Sequence, residues 1–336
     1  MRLDAEYVLP LRWSQEVSRR ESCALGEYLA WLSTVLDVTV VDGSEEDLFV
    51  RHRHLWPDDV RHLRPDPWPG RNGKVAGVVT GIRASRHERV IIADDDVRYG
   101  APDLKAVVSA LDRSDLVRPQ NVFTSPCWHT RWDTGRSLVN RAFGHDYPGT
   151  HGVRRSLFLA MGGYDGDVLF ENLELARSVA SVGGMVRDLP GTFVQRLPPA
   201  TSQFWSQRIR QAYDDLAQPS RLVGELSLLP GLLLTLRRAP RALGGLALVA
   251  VLLGEVGRRK EGGARVYPRT APLWVLPWMT ERSVCVWLAL AQRARGGARY
   301  GGTRIRRAAT PVRAPRPPTQ NSLSTVWTMC VRVPAR

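Results

Sequence analysis

Val90-Ile91-Ile92-Ala93-Asp94-Asp95-Asp96-Val97 runs four apolar residues straight into three consecutive carboxylates. An apolar run without alternation reads as a parallel strand buried on both faces. Three adjacent carboxylates repel one another, so a site that keeps them holds a cation, and hard oxygen ligands suit Mg2+ or Mn2+ better than a soft metal. An acidic turn in solvent is the commoner fate of a charge run. The strand leading in weighs for a site, because ligands sit at the carboxyl ends of strands in open α/β sheets.

Upstream of this stretch, residues 7–11 form a short apolar run that reads as a first strand. Leu25, Tyr28, Leu29, Leu32 and Leu36 then recur at helical spacing. Val38-Thr39-Val40-Val41 is a β-branched strand that ends in Asp42-Gly43-Ser44. Strand, helix and strand make a βαβ unit, whose right-handed crossover puts Asp42 at the same edge as Asp94. Asp42 by itself also suits a turn. Residues 51–70 read as a loop, with His52, His54 and His62 solvated rather than gathered on a metal. Asn72-Gly73-Lys74 opens a helix over 75–85, and Lys74 is either aimed at a phosphate or an exposed charge.

Downstream, Pro102 stands at a helix start, with Leu104, Val107, Val108 and Leu111 as the buried stripe. Residues 116–123 read as a strand, and residues 124–150 as an irregular region, either facing a substrate or merely connecting. A helix follows from Asn172, so Glu171 and Asn172 are either site residues or its cap. Residues 203–216 place Phe204, Trp205, Ile209 and Tyr213 beside Gln207, Arg208 and Arg210, an amphipathic pattern that suits a membrane interface.

The net charge of +14 is unevenly spread: residues 221–336 carry 20 basic and 4 acidic side chains, against 27 and 29 in residues 1–220. The arginines alternate with long apolar runs, which fits anionic lipid headgroups rather than nucleic acid. Residues 222–236 and 242–256 are apolar runs short of the roughly 17–20 residues that a spanning helix needs. Their flanking clusters, Arg237 to Arg241 and Arg258 to Lys260, would fall on opposite sides if both spanned, so an interfacial hairpin satisfies them better. Residues 272–292 are a third candidate, interrupted by Glu281 and Arg282. A packed helical domain is the competing reading of this third of the chain. Four scattered cysteines without a C-x-x-C pair indicate neither a zinc site nor a disulfide framework, and residues 1–13 hold no apolar signal core.

The order Asp42-Gly43-Ser44, Asn72-Gly73-Lys74, Asp94-Asp95-Asp96, Gly162-Gly163-Tyr164-Asp165, Glu171-Asn172 and Gln207-Arg208-Ile209-Arg210-Gln211, followed by apolar helices, resembles a family. It is similar to the processive and lipid-directed family-2 glycosyltransferases over roughly residues 5–300. These are inverting, membrane-associated enzymes of α/β GT-A fold, a Rossmann-like mixed sheet with helices on both faces. The resemblance implies a nucleotide-sugar-binding catalytic domain over residues 1–220. A membrane-associated helical region over 221–307, with transmembrane helices, and a disordered tail over 308–336 would follow it.

By the same resemblance Asp42 holds the nucleoside, while Lys74 and Asp95 serve the donor. Asp94 lies near the ribose and metal, and Asp96 coordinates Mg2+ or Mn2+. Gln207, Arg208 and Arg210 close over the diphosphate, with Gln211 where tryptophan is usual. Asn172 stands where the family has its aspartate base, and an amide accepts no proton at neutral pH. Glu171 is therefore the first candidate base and Glu174, one turn on, the reserve. The expected activity is transfer of a hexose from a nucleotide sugar to a lipid or polyprenyl-type acceptor, at a cell membrane, with the catalytic domain facing the cytoplasm. A non-catalytic nucleotide-sugar-binding protein of the same fold is the alternative. A phosphotransferase using Asp94 as nucleophile leaves the Glu171 and Gln207 motifs unexplained.

Overall fold

The computed structural model describes residues 2–13, 19–146 and 148–311. Its first part comprises β1 (Glu6–Leu11), α1 (Arg19–Val35), β2 (Asp37–Asp42), α2 (Glu46–Leu55), β3 (Val60–Leu63), α3 (Gly73–Ala84) and β4 (Arg89–Ala93). Next come β5 (Val97–Arg98), α4 (Ala101–Ala110), β6 (Leu116–Phe123), α5 (Trp128–Phe143), β7 (Thr150–Arg154), α6 (Arg155–Ala160), α7 (Glu171–Ser181) and β8 (Val186–Arg196). Two short helices, α8 (Thr201–Ser206) and α9 (Arg208–Tyr213), lead through a 3-10 turn to α10 (Pro219–Arg238), α11 (Ala242–Arg259) and α12 (Val275–Ala294). The hairpin β9 (Ala298–Tyr300) and β10 (Thr303–Ile305) closes the described chain.

The first eight strands form one mixed sheet in the order β3-β2-β1-β4-β7-β6-β8-β5. β1 runs parallel to β2 and β4, and β2 parallel to β3, so four carboxyl ends share one edge. β7 is antiparallel to both β4 and β6. Side-chain alternation feeds two cores. Tyr7, Leu9, Ile91 and Ala93 face α1 and α4, while Val8, Val90 and Ile92 face α3, α6 and α7. Burial on both faces is what the unbroken apolar run before Asp94 required. α3 tolerates its glycines because it lies close on the sheet: a Cβ at Gly81 would fall 2.2 Å from Val8 Cγ1.

Three expected irregular or continuous stretches fold otherwise. Residues 51–70 contain the end of α2 and all of β3, and His52 is buried. Residues 124–150 contain the 16-residue α5, whose buried face carries His129, Thr130, Asp133, Ser137, Asn140 and Arg141. That polarity, turned inward, hides the helical period. The amphipathic stretch 203–216 breaks at Gln207 into α8, α9 and the 3-10 turn.

Among the described residues no helix is long and apolar enough to cross a membrane, which corrects the expected transmembrane helices. α10 contains Pro230 and turns Glu225 inward, α11 ends in Glu255, Arg258 and Arg259, and α12 buries Arg282. α11 and α12 pack on α5 rather than forming a separate body. Arg141 of α5 fastens the end of α11 and β8: wholly buried, it donates to the carbonyls of Gly257, Lys260 and Pro190 at 3.2, 2.5 and 2.8 Å. The outer sides of α10 and α11 stay apolar and exposed, with Val223, Leu234, Leu248 and Val249 at 51–68% exposure. Of the expected tail, Ala308 and Ala309 are buried against α7, α9 and α12, and residues 312–336 lie outside the described residues.

Candidate active site

A cleft of about 280 Å³ opens where β4 ends, walled by α3, α5, α7, α9, α10 and α12. Asp94, Asp95 and Asp96 enter it from the strand end, and Lys74 from the first turn of α3. The Asn72 side chain caps that helix by accepting the Lys74 amide at 3.1 Å. Lys74 Nζ lies 2.5 Å from Asp94 Oδ1 and 2.6 Å from Glu171 Oε1, so one ammonium ties the acidic triplet to the start of α7. Burial alone would lower the Lys74 pKa, but the charges of Asp94 and Glu171 overcome it and hold it above the usual range. Burial also opposes ionisation of Asp94, yet Lys74 and Arg196 keep its carboxyl below the ordinary value.

Arg196, at the end of β8, donates from Nε to Asp96 Oδ2 at 2.6 Å and reaches Asp94 at 3.8 Å. Burial pushes the Asp96 carboxyl up against that pairing, and the charges of Asp94 and Asp95 add to the rise. Asp95 accepts from Trp13 Nε1 at 2.7 Å. Gly149 closes in from the loop before β7. Its carbonyl accepts the Asp94 amide at 3.1 Å, and a Cβ there would lie 2.5 Å from Asp94 Oδ2.

Four buried polar atoms of the cleft have no partner among the described residues: Asp96 Oδ1, Arg136 Nε, Gln211 Oε1 and Arg282 Nε. Unpaired buried polar atoms are costly, so four in one cleft mark a surface that a polar ligand completes. Among the described residues no cluster of three or more His, Cys, Asp or Glu side chains is arranged to hold a metal. The free oxygen of Asp96 beside Asp94 nevertheless fits a hard cation that takes one or two carboxylates from the protein and its other oxygens from phosphate and water.

Of the residues singled out in the sequence, Lys74, Asp94, Asp95, Asp96, Glu171, Asn172, Gln207 and Arg210 meet in this cleft. Asn172 donates to the Pro148 carbonyl at 3.2 Å. Asp42, Glu174 and Arg208 do not line it. Asp42 sits at the expected edge but is fully buried, accepting from Ser44 N at 2.9 Å and bonded to His52 at 2.6 Å and His62 at 3.2 Å. Glu174 points away, accepting the backbone and hydroxyl of Thr310 at 2.6 and 2.7 Å. Arg208 makes a forked pair with Asp133 at 2.8 and 3.3 Å and stacks over Phe204.

Sequence reasoning missed Arg136, Arg196, Asp214, Asp215, Arg221 and Arg282, which line the same cleft. Arg136 lay in a stretch read as irregular, and Arg282 in one read as apolar. Asp214-Asp215 carried a signal, two adjacent carboxylates shortly after the Arg210 motif.

No family model matches the chain, and no curated protein matches it. Among solved structures it is similar to the mannosyltransferase PcManGT from Pyrobaculum calidifontis, in complex with GDP-mannose and Mn2+. The identity is 16%, the match covers 85% of this chain and 88% of that one, and the TM-score is 0.50. Glucosyl-3-phosphoglycerate synthase from Mycobacterium tuberculosis, in complex with Mn2+, UDP and phosphoglyceric acid, is 15% identical. That match covers 60% of this chain and 73% of that one, with a TM-score of 0.40. At such identity the first likeness is one of fold: the curled, eight-stranded mixed sheet fits the GT-A type of glycosyltransferases.

Proposed function

We propose that this protein is a glycosyltransferase that moves a hexose from a nucleotide sugar to a membrane-proximal, lipid-type acceptor by single displacement with inversion. The observation that carries the reading is the cleft itself. An acidic strand end, six cationic side chains and four unpaired polar atoms converge there at the carboxyl edge of the sheet. Lys74, Arg136, Arg196 and Arg210 supply the positive charge that a diphosphate needs, fixed in place before it arrives. Asp94 and Asp96 would hold Mg2+ or Mn2+, and Mn2+ is the ion bound in the mannosyltransferase of similar fold. Such a cation, when bound, neutralises the charge that builds on the departing nucleoside diphosphate.

Asn172 and Glu171, at the start of α7, line the cleft with Gln207 and Arg210 and would face the acceptor. The exposed apolar sides of α10 and α11, with Arg237, Arg238 and Arg241 between them, suit the surface of an anionic bilayer. That supports a lipid-type acceptor and a place on the cytoplasmic face of a cell membrane. Asn172 in place of an acidic base favours the second reading, a protein that binds nucleotide sugars without turnover. Titration calorimetry with GDP and UDP, with and without Mn2+, tests the binding that both readings share. Cation-dependent binding of one of them at 1:1 is expected, and no binding of either would overturn both.

A further inference from the structure

We infer that Asp214 is the group that takes the proton from the acceptor hydroxyl. The inference rests on the glycosyltransferase reading above and supplies the base that Asn172 cannot be. Six carboxylates line the cleft: Asp94, Asp95, Asp96, Glu171, Asp214 and Asp215. Five have a hydrogen-bonded or ion-paired partner. Lys74 holds Asp94 and Glu171 at 2.5 and 2.6 Å, Trp13 holds Asp95 at 2.7 Å, and Arg196 holds Asp96 at 2.6 Å. Asp215 is bound by Arg282 at 2.6 Å and Arg221 at 2.8 Å. The Asp214 carboxylate has neither a hydrogen bond nor an ion pair among the described residues, so its oxygens are open to an incoming O–H.

Its place in the chain agrees with the role. Asp214 opens the 3-10 turn directly after α9, four residues beyond Arg210, on the wall that also carries Gln207 and Gln211. The groups around it come from several elements: Arg210 from α9, Glu171 from α7, Arg136 from α5, and Asp215 beside it. Arg221 from α10, Arg282 from α12 and Lys74 from α3 line the same cleft. Burial pushes the Asp214 carboxyl up to about 7, Asp215 and Glu171 reinforce the rise, and Arg210 and Arg136 oppose it. A base works best when its pKa lies near the operating pH, because it is then both free and strong enough to take the proton.

The step balances as a displacement. The acceptor O–H bond breaks and its proton passes to an Asp214 oxygen. The acceptor oxygen forms a bond to the anomeric carbon, and the bond from that carbon to the diphosphate oxygen breaks, its electron pair leaving with the nucleoside diphosphate.

The test compares the intact protein with Asp214→Asn and Asp214→Glu. Each is given Mn2+ and a panel of GDP-mannose, UDP-glucose and UDP-N-acetylglucosamine, with water as acceptor. Nucleoside diphosphate release is followed from pH 5 to 9, and nucleoside diphosphate affinity by calorimetry. The wild type is expected to speed up through about pH 7 and then level off. Asp214→Asn should lose roughly 10²–10⁴-fold in rate with little change in affinity. Asp214→Glu should keep part of the rate with a displaced pH midpoint. An Asp214→Asn variant that works at the wild-type rate with the wild-type pH profile overturns the assignment and leaves the transferase reading standing. A wild type that releases nothing from any donor overturns the transferase reading, and the assignment falls with it.

Discussion

Arg282 Nη1 donates to Asp215 Oδ2 at 2.6 Å, with the two side chains 1% and 3% exposed. The pair joins α12 to the turn after α9, 67 residues earlier, so the C-terminal third of the chain helps build the cleft. In the sequence Glu281-Arg282 reads as a break in a membrane candidate; in the fold Arg282 is a partner for a buried carboxylate. Breaking a buried pair costs up to about 3–5 kcal/mol where the other member is left unpaired, and here Arg221, 2.8 Å from Asp215, offsets part of that. Arg282→Met should therefore lower the urea midpoint of unfolding sharply. An unchanged midpoint would mean that the pair is not buried.

Asp96→Ala removes the carboxylate whose Oδ1 has no partner, together with the Arg196 contact, and no apolar core volume. Cation-dependent binding of nucleoside diphosphate should disappear from titration calorimetry while the melting temperature shifts by only a few degrees. Mn2+-dependent affinity equal to the wild type would remove Asp96 from the cation site.

Asp42 sets a limit on acid stability. Burial would raise its pKa, but the hydrogen bonds from His52, His62 and Ser44 hold it well below the ordinary carboxylate value. A carboxyl depressed in the folded state contributes stability that is fully present above its unfolded pKa of about 3.9, and loses it as the pH falls towards the folded value. Asp42→Asn should lower stability at pH 7 and flatten its decline below about pH 4. Parallel wild-type and variant curves of urea midpoint against pH would contradict this.

The strands around Asp94 were legible because burial on both faces writes itself as an unbroken apolar run, and the cleft's Lys74, Glu171 and Arg210 because they follow motifs of local spacing. α5 was illegible for the opposite reason. Its inward face is made of residues such as Asp133, Asn140 and Arg141, each satisfied by partners distant in the chain, so hydrophobic period carries no trace of it. Glu174 shows the limit of helical arithmetic. One turn from Glu171 put it near the same face, but Thr310, 136 residues on, takes both its oxygens. The pairing of Arg196 with Asp96 is equally silent in sequence, since a strand end 100 residues away decides it.

The exposed apolar sides of α10 and α11 and the arginines between them predict binding to anionic vesicles. Phosphatidylglycerol vesicles should sediment the intact protein far better than phosphatidylcholine vesicles. A triple Arg237→Gln, Arg238→Gln, Arg241→Gln variant should lose roughly 1 kcal/mol per removed charge, about two orders of magnitude in partition in all. Equal sedimentation by both vesicle types, or none by either, would leave the lipid-type acceptor without support.

The most direct measurement is nucleoside diphosphate release by the intact protein from a panel of nucleotide sugars that includes GDP-mannose and UDP-glucose. The account predicts release from at least one donor with Mn2+ or Mg2+ present, abolished by EDTA and restored by adding the cation back. No release from any donor, with the cation present and the protein folded, would contradict it.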